Sequence, residues 1–122
     1  RLPLAREVAE SWNATVVLKG ARTVIAAPDG TCYLNPTGNP GLATGGTGDV
    51  LTGVIAALLA QGLQPLKAAA AGAFLHGLAG DLAAEQARGA RGLTAGDVLQ
   101  ALPAALAAVM RSEVPGPVMY TR

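Results

Sequence analysis

A glycine-rich turn over residues 38–48 is followed at once by a single carboxylate, Asp49, and then by an apolar stretch over residues 50–59. Glycine backbones can adopt positive φ angles and can bring bare N–H groups close to a ligand. Where such a turn enters the N-terminus of a helix, the unpaired N–H groups and the helix dipole both attract anions. The pattern therefore predicts an anion site, with phosphate as its natural occupant.

Asp49 has two interpretations. A carboxylate in the first turn of a helix is favoured by the helix dipole, so the simpler role for Asp49 is that of a helix cap. A turn that collects anions would nevertheless usually avoid a carboxylate, unless that carboxylate accepts a proton from a substrate hydroxyl beside the phosphoryl group. The second interpretation makes Asp49 a general base next to an anion hole, and the spacing alone leaves both open.

Residues 45–55, GGTGDVLTGVI, resemble the signature of the ribokinase-like superfamily. The form they resemble is that of the C-terminal YjeF domain, the ADP- or ATP-dependent NAD(P)H-hydrate dehydratase. The flanking residues 39–44 and 56–62 are similar to that family too. The turn is not a Walker A loop, because no Gly-Lys-Ser/Thr follows, and it lacks the third glycine and the long preceding strand of a dinucleotide fingerprint.

A second segment, residues 16–23 (VVLKGART), begins in a predicted strand, and its residues 19–23 follow the carboxyl end of that strand. Open α/β sheets bind their ligands at this edge. An isolated Lys-Gly pair in this position would indicate a solvated turn. The segment is similar to the nucleotide segment of the same family, however, and the similarity implies that it lines the AMP part of a nucleotide. The nucleotide-binding residues that the resemblance implies are Lys19, Gly20, Ala21, Arg22, Thr23 and Gly48.

The resemblance also implies roles for the residues of the glycine turn. Asp49 would contact the substrate and take the proton of its hydroxyl group. The N–H groups of Gly46, Thr47 and Gly48 would form an anion hole that neutralises charge on the transferred phosphoryl group.

The activity implied by the resemblance is the repair of hydrated NADH and NADPH. ADP or ATP would phosphorylate the hydroxyl group of the hydrate, phosphate would then leave, and the nicotinamide ring would regain its double bond. Mg²⁺ would be held largely by phosphate oxygens and water, because the sequence shows no dedicated metal ligands. The family also implies a homo-oligomer, specifically a tetramer.

Two other functions stay open. A small-molecule kinase of the same superfamily, acting on a vitamin precursor or a sugar alcohol, would use the same Asp49 and the same anion hole. Only residues 39–41 and the long match after them favour the dehydratase. The third possibility is a non-catalytic nucleotide-binding or assembly module, because a chain of this length would carry little of the substrate pocket.

The length of the chain limits the architecture. A sequence of 122 residues makes at most one domain, and the ribokinase-like fold usually needs about twice that length. We therefore expect residues 1–122 to be the C-terminal half of a single three-layer α/β/α domain of ribokinase-like fold, with no internal boundary.

Composition excludes several classes of partner. Nine basic and eight acidic residues leave a formal net charge of +1 without a basic run, so nucleic acid is not an expected partner. The charge-free interval over residues 50–66 is interrupted by Gln, Gly and Pro, and it indicates a buried helix, not a membrane span.

The start of the chain lacks the apolar core of a signal peptide, and the single Cys32 excludes an internal disulfide. The expected location is therefore cytoplasmic.

Local patterns predict the elements that lead to the glycine turn. Residues 3–12 are typical of a short helix, and residues 15–18 form a β-branched run typical of a buried parallel strand. An Asp-Gly pair at residues 29–30 lies between the β-prone runs 23–27 and 31–34, which predicts a hairpin.

Three main helices are predicted after the hairpin. Residues 50–59 are almost wholly apolar, which indicates a helix packed on nearly all sides. Pro65 opens a second helix that runs to about Gln86, and its many small residues predict close packing against the first. Thr94 begins the third helix, where Asp97 is expected to cap the N-terminus in a capping box.

Three single residues and the tail have structural interpretations. Trp12 is expected to anchor the core or an edge of the sheet, and Cys32 to be a small buried hydrophobe. His76 lies among apolar neighbours without a carboxylate or cysteine at ligand spacing, so a structural or surface role is expected. The tail over residues 114–118 cannot be helical and is expected to be a lid strand, a contact strand or disordered.

Overall fold

The structure, a computed structural model, describes residues 1–87 and 89–111 together with the backbone of residues 118–120. Four helices and four short strands are present in this part of the chain. In order they are α1 (Leu2–Trp12), β1 (Val16–Leu18), β2 (Val24–Ala26), β3 (Cys32–Leu34), α2 (Thr47–Ala60), α3 (Pro65–Gln86), α4 (Ala95–Met110) and β4 (Val118–Tyr120). A short 3₁₀ turn, Pro40–Ala43, precedes α2.

The four strands form one antiparallel sheet in the order β1-β2-β3-β4. The predicted hairpin between β2 and β3 is confirmed, and the N–H of Ala27 donates to the carbonyl of Thr31 at 2.8 Å. Gly30 closes the turn with a φ of +90°, which a residue with a Cβ adopts only under strain. The prediction of a buried parallel strand is wrong, because β1 pairs antiparallel with β2 and its three residues are half-buried.

Helices cover both faces of the sheet, as the three-layer arrangement requires. Alternate residues of a strand point to opposite faces, and β2 shows this alternation. Val24 and Ala26 pack on α1 together with Cys32, whose predicted burial is confirmed. Ile25 of β2 and Tyr33 of β3 face α2 and α3 on the other side.

Helix α3 is the central helix of the described residues and has the predicted bounds. A long run of alanines and glycines lets its neighbours approach closely. A Cβ added at Gly72 would lie 2.6 Å from Cγ1 of Ile55 in α2, so the predicted tight packing of these two helices is confirmed. On its other side α3 packs against α4 through Phe74, Leu78 and Val98.

Helix α4 begins as predicted. Thr94 and Asp97 form a complete capping box, in which the Asp97 N–H donates to Oγ1 of Thr94 at 3.1 Å and the Thr94 N–H donates to Oδ2 of Asp97 at 2.9 Å. The interpretation of Asp97 as a cap is therefore confirmed. Among the described residues, every helix falls short of a membrane span in length or in hydropathy.

Two burial predictions are wrong. Trp12 has 72% of its surface exposed and anchors neither the core nor the sheet edge. Helix α2 buries only Thr47 and Leu51, and Leu59 remains 43% exposed. Its composition did predict a helix, but within the described chain α3, α4 and the sheet contact only one side of it. The tail residues 114–117 lie outside the described residues.

Candidate active site

The glycine turn enters α2 in the conformation that the sequence predicts. Gly46 occupies the N-cap position with a φ of +91°, in the left-handed region that favours glycine. The hydroxyl oxygen of the buried Thr47 lies 2.6 Å from the carbonyl oxygen of Leu42 and 2.9 Å from that of Thr44, so its single proton is shared between these two acceptors. The Thr47 side chain thus fixes the turn.

Three backbone N–H groups around the start of α2 have no acceptor among the described residues. The Thr47 N–H donates to the Thr44 carbonyl at 3.3 Å, whereas no described residue accepts a hydrogen bond from the N–H groups of Gly46, Gly48 or Asp49. These donors stand at the N-terminus of a helix of 14 residues, where the dipole adds positive potential. The structure therefore offers an anion two amides of the predicted hole, those of Gly46 and Gly48, and adds that of Asp49.

Asp49 is exposed in the first turn of α2. No side-chain hydrogen bond caps this helix, and no described residue donates to the Asp49 carboxylate. By contrast, Asp97 at the start of α4 makes both bonds of a capping box. The Asp49 carboxylate is thus free to accept a proton or a hydrogen bond from a ligand.

The ammonium group of Lys19 reaches the glycine turn. A Cβ built on Gly48 would lie 2.8 Å from Nζ of Lys19, so the side chain lies directly over that glycine. The backbone of Lys19 is held in place because the Arg1 guanidinium donates to its carbonyl at 2.8 Å. A cation and a free backbone amide thus meet at Gly48, the residue that precedes Asp49.

A cleft of about 540 Å³ opens between the loop after β1 and residues 35–43, which precede α2. Of the five residues predicted to bind nucleotide after β1, four line this cleft, and the exposed Arg22 does not. Lys19 and Leu51 also line a second cleft of about 450 Å³, and Gly48 belongs to that one. The structure therefore brings the predicted nucleotide loop and the glycine turn together at Lys19. Gly46, Thr47 and Asp49 line neither cleft.

Sequence reasoning missed several residues that line the larger cleft. They are Asn35, Thr37, Gly38, Asn39, His76 and Gly77. The first four follow β3 directly, and their place between the predicted hairpin and the first residues of the glycine turn was a usable signal. The last two come from α3 and reach the cleft only through tertiary packing.

His76 connects α3 to the glycine turn. It is 5% exposed, and its Nε2 lies 2.8 Å from the carbonyl oxygen of Thr47. Since a carbonyl only accepts, Nε2 must carry the proton in this contact. Burial lowers the pKa of His76 below its ordinary value of 6.5, the bond to Thr47 opposes this, and the charge of Lys19 lowers the pKa further.

Stability should fall as the pH is lowered through the range below 6.5, because of His76. Its pKa is lower in the folded chain, so in this range the unfolded chain binds more protons and the free energy of unfolding decreases. A His76→Gln variant retains a donor for Thr47 but does not titrate, so its stability should depend less on pH. Denaturant unfolding of both proteins at pH 7.5 and pH 5.5 measures the difference. Equal losses of stability would contradict the assignment.

No three His, Cys, Asp or Glu side chains gather into a possible metal site within residues 1–87 and 89–111. The described residues therefore provide cationic and backbone donors for an anion, but no ligand cage for a metal ion. A metal ion at this site would have to rely on oxygens that a bound phosphate or water supplies.

The sequence of this chain matches a known protein family and several of its members. Residues 1–104 match the Carb_kinase family, described as NAD(P)H-hydrate dehydratase. The chain is similar to the bifunctional NAD(P)H-hydrate repair enzyme of Moorella thermoacetica, with 63% identity over 84% of this chain and 19% of that enzyme. It is also similar to the ADP-dependent (S)-NAD(P)H-hydrate dehydratase of Neisseria meningitidis, with 50% identity over 83% of this chain and 34% of that enzyme. The chain thus spans about a fifth to a third of the length of these relatives.

A solved structure shows the same relation. The chain is similar to the ADP/ATP-dependent NAD(P)H-hydrate dehydratase of Bacillus subtilis, crystallised with ATP and Mg²⁺, with a TM-score of 0.82 and 42% identity. The match covers 88% of this chain and 38% of that one. The predicted ribokinase-like α/β fold is therefore confirmed.

Proposed function

This chain belongs to the NAD(P)H-hydrate dehydratase family, as residues 39–62 predicted, and on that basis we propose that it carries the phosphoryl-transfer site of an enzyme that dehydrates hydrated NADH and NADPH with ADP or ATP. One observation carries the proposal. The Lys19 ammonium group lies over Gly48, whose amide is free, and the next residue in the chain carries the free carboxylate of Asp49, so a proton acceptor directly follows the anion site in the first turn of α2. This combination suits the transfer of a phosphoryl group to a hydroxyl.

Each part of the site has a role in the proposed reaction. The nucleotide supplies the phosphoryl group and lies along the loop after β1, which lines the cleft. Lys19 and the amides of Gly46 and Gly48 stabilise negative charge on that group. Asp49 takes the proton of the substrate hydroxyl as the hydroxyl oxygen attacks phosphorus, and the shortened nucleotide leaves with the electrons of the broken phosphorus–oxygen bond. Phosphate then leaves with the electrons of the carbon–oxygen bond, the neighbouring ring carbon loses a proton to water or to the departing phosphate, and the electrons of that carbon–hydrogen bond form the double bond of the ring.

Magnesium fits this site only as a partner of the nucleotide. The described residues offer no cluster of metal ligands, and Mg²⁺ commonly binds through substrate phosphates and water. The Bacillus subtilis relative was crystallised with ATP and Mg²⁺. We propose that Mg²⁺ neutralises phosphate charge in the same way here, without a dedicated carboxylate from this chain.

The chain is proposed to form the C-terminal half of one ribokinase-like domain, with the rest of the substrate pocket supplied by sequence outside it. The structural match, which covers 38% of a longer dehydratase, supports a partial domain. So does the apolar face of α2, which stays largely uncovered by the described residues. A homotetrameric assembly and a cytoplasmic location remain predictions, and light scattering tests the first.

The activity test uses the complete domain. Incubation with hydrated NADH and ADP or ATP should restore the absorbance of the reduced nicotinamide. Consumption of nucleotide without recovery of absorbance would favour a small-molecule kinase instead. Nucleotide binding without any turnover would favour a non-catalytic nucleotide-binding module.

Lys19→Met should weaken nucleotide binding by about 10- to 100-fold, because a hydrogen bond between charged groups contributes about 1.5–3 kcal/mol. Lys67→Met is the matched control. Lys67 donates to the hydroxyl group of Tyr33 at 2.8 Å and lines neither cleft. Isothermal titration with ADP and ATP measures both variants. Similar affinities for the two variants would remove Lys19 from the site.

A further inference from the structure

Asp81 of α3 lies behind one wall of the larger cleft. Its Oδ2 accepts the N–H of Gly38 at 2.9 Å, and its Oδ1 accepts Nδ2 of Asn39 at 2.9 Å. Gly38 and Asn39 line the cleft, whereas Asp81 does not. Asp81 can therefore influence a bound ligand only through the loop that it holds.

The charge of Asp81 is unusual for this position. It is half-buried, and in the described part of the chain no Lys, Arg or His side chain pairs with it. A carboxylate close to an anion site repels the anion, and low solvent exposure strengthens the repulsion. An acidic side chain here is therefore disadvantageous unless its two acceptor oxygens are needed to hold the loop.

Hydrogen bonds continue from Asp81 through residues 39–42 to the start of α2. Oδ1 of Asn39 accepts the N–H of Gly41 at 2.9 Å and so caps the 3₁₀ turn Pro40–Ala43. The carbonyl of Leu42 in that turn accepts the hydroxyl group of Thr47 at the start of α2. Loss of the bond between Asp81 and Asn39 would release one end of this chain of contacts.

We propose that Asp81 is a positioning residue that fixes the wall formed by residues 38–43 against α3 and thereby sets nucleotide affinity, not the rate of the chemical step. The inference rests on the proposed function, in which the nucleotide occupies this cleft. A loop that is already ordered loses less conformational entropy when a ligand binds. A released loop would have to be ordered at each binding event, so affinity falls while Asp49 and residues 46–48 keep their chemistry.

Asp81→Asn tests the proposal at nearly constant size. The amide keeps one acceptor oxygen, but its NH₂ group must face either the Gly38 N–H or the Asn39 NH₂, which are both donors. One hydrogen bond is lost, and the nucleotide KM should rise by about tenfold, with kcat changed by less than about threefold.

Asp97→Asn is the matched control. The Asp97 carboxylate also accepts a backbone N–H at 2.9 Å, but it caps α4 and lines neither cleft. The control should lower thermal stability and leave the nucleotide KM unchanged. A purely structural role for Asp81 would give the two variants the same pattern.

A double-mutant cycle adds a second measurement. Asn39→Ala removes the same hydrogen bond from the loop side. The change in nucleotide KM of the double variant, expressed as a free energy, should therefore be smaller than the sum of the changes for Asn39→Ala and Asp81→Asn alone. If Asp81→Asn does not fold, Asn39→Ala alone should raise the nucleotide KM with kcat retained.

The outcomes separate the two proposals. If the parent protein binds ADP or ATP but Asp81→Asn has the parent KM, or loses only kcat, the role of Asp81 is overturned and the proposed function stands. Additive effects in the cycle also overturn it. If the parent protein binds neither nucleotide, the proposed function fails and the inference fails with it.

Discussion

Replacing Asp49 with Asn should lower kcat by about 10²- to 10⁴-fold, the range that a general base contributes. The amide has nearly the same size, so the glycine turn and the start of α2 should keep their geometry. It cannot take a proton from the substrate hydroxyl. Nucleotide affinity should stay equal or increase, because the substitution removes a negative charge from the neighbourhood of the phosphate site.

The measurement is a comparison of kcat for dehydration with the dissociation constant for ADP and ATP, each in the complete domain. Glu7→Gln is the control, because Glu7 is an exposed carboxylate on α1 and α1 covers the opposite face of the sheet from α2. Its kcat should equal that of the parent. If the Asp49→Asn variant retained most of its turnover, Asp49 would not be the general base. Its carboxylate would then only stabilise the N-terminus of α2 through the helix dipole.

Local signals in the sequence predicted local structure well. The Asp-Gly pair at residues 29–30 specified the hairpin turn, and Thr94 with Asp97 specified the start of α4. The positive φ of Gly46 and the start of α2 follow from the glycine run itself. Each of these features depends on residues within a few positions of one another, so the chemistry of the turn or cap is sufficient.

Features set by tertiary packing were not predictable in the same way. A run of three β-branched or apolar residues such as β1 looks the same in a parallel and in an antiparallel sheet, so its direction was wrongly assigned. The apolar composition of α2 indicates that it packs against something, but not which residues cover it. Its exposed face in the described chain shows the limit of that inference.

The residues of the candidate site show the same difference between local motifs and tertiary packing. Residues 19–23 and the glycine turn were found because short motifs carry the chemistry. His76 and Asp81 were not assigned to the site, although both act on its loops, because each lies at least 29 positions from its hydrogen-bond partner. Only the packing of α3 against residues 35–47 places them there, and no periodic pattern in α3 distinguishes them from the other positions of that helix.

The close contact between α3 and the cleft wall should make Gly77→Ala destabilising by about 1–3 kcal/mol, the usual cost of overpacking. A Cβ at Gly77 would collide with Oγ1 of Thr37 and would lie 2.8 Å from the Thr37 carbonyl carbon. Thr37 cannot move away freely, because its hydroxyl oxygen lies 2.9 Å from the carbonyl oxygen of Phe74 and 3.0 Å from Oδ1 of Asn35, and its proton is donated to these acceptors. Relief of the collision therefore requires a shift of the backbone or the loss of these bonds.

Gly96→Ala provides the matched control, because Gly96 also lies in a helix but a Cβ there would have its nearest contact at 3.7 Å, an ordinary separation. This variant should be stabilised by up to about 1 kcal/mol, since alanine is favoured over glycine in helices. Denaturant unfolding of the parent and both variants gives the two differences in the free energy of unfolding.

Because Gly77 and Thr37 both line the larger cleft, Gly77→Ala should also weaken nucleotide binding, whereas Gly96→Ala should not. Equal stability of Gly77→Ala and Gly96→Ala would contradict this prediction. It would mean that residues 35–38 move away from α3 at little cost in free energy and do not form a rigid wall of the cleft.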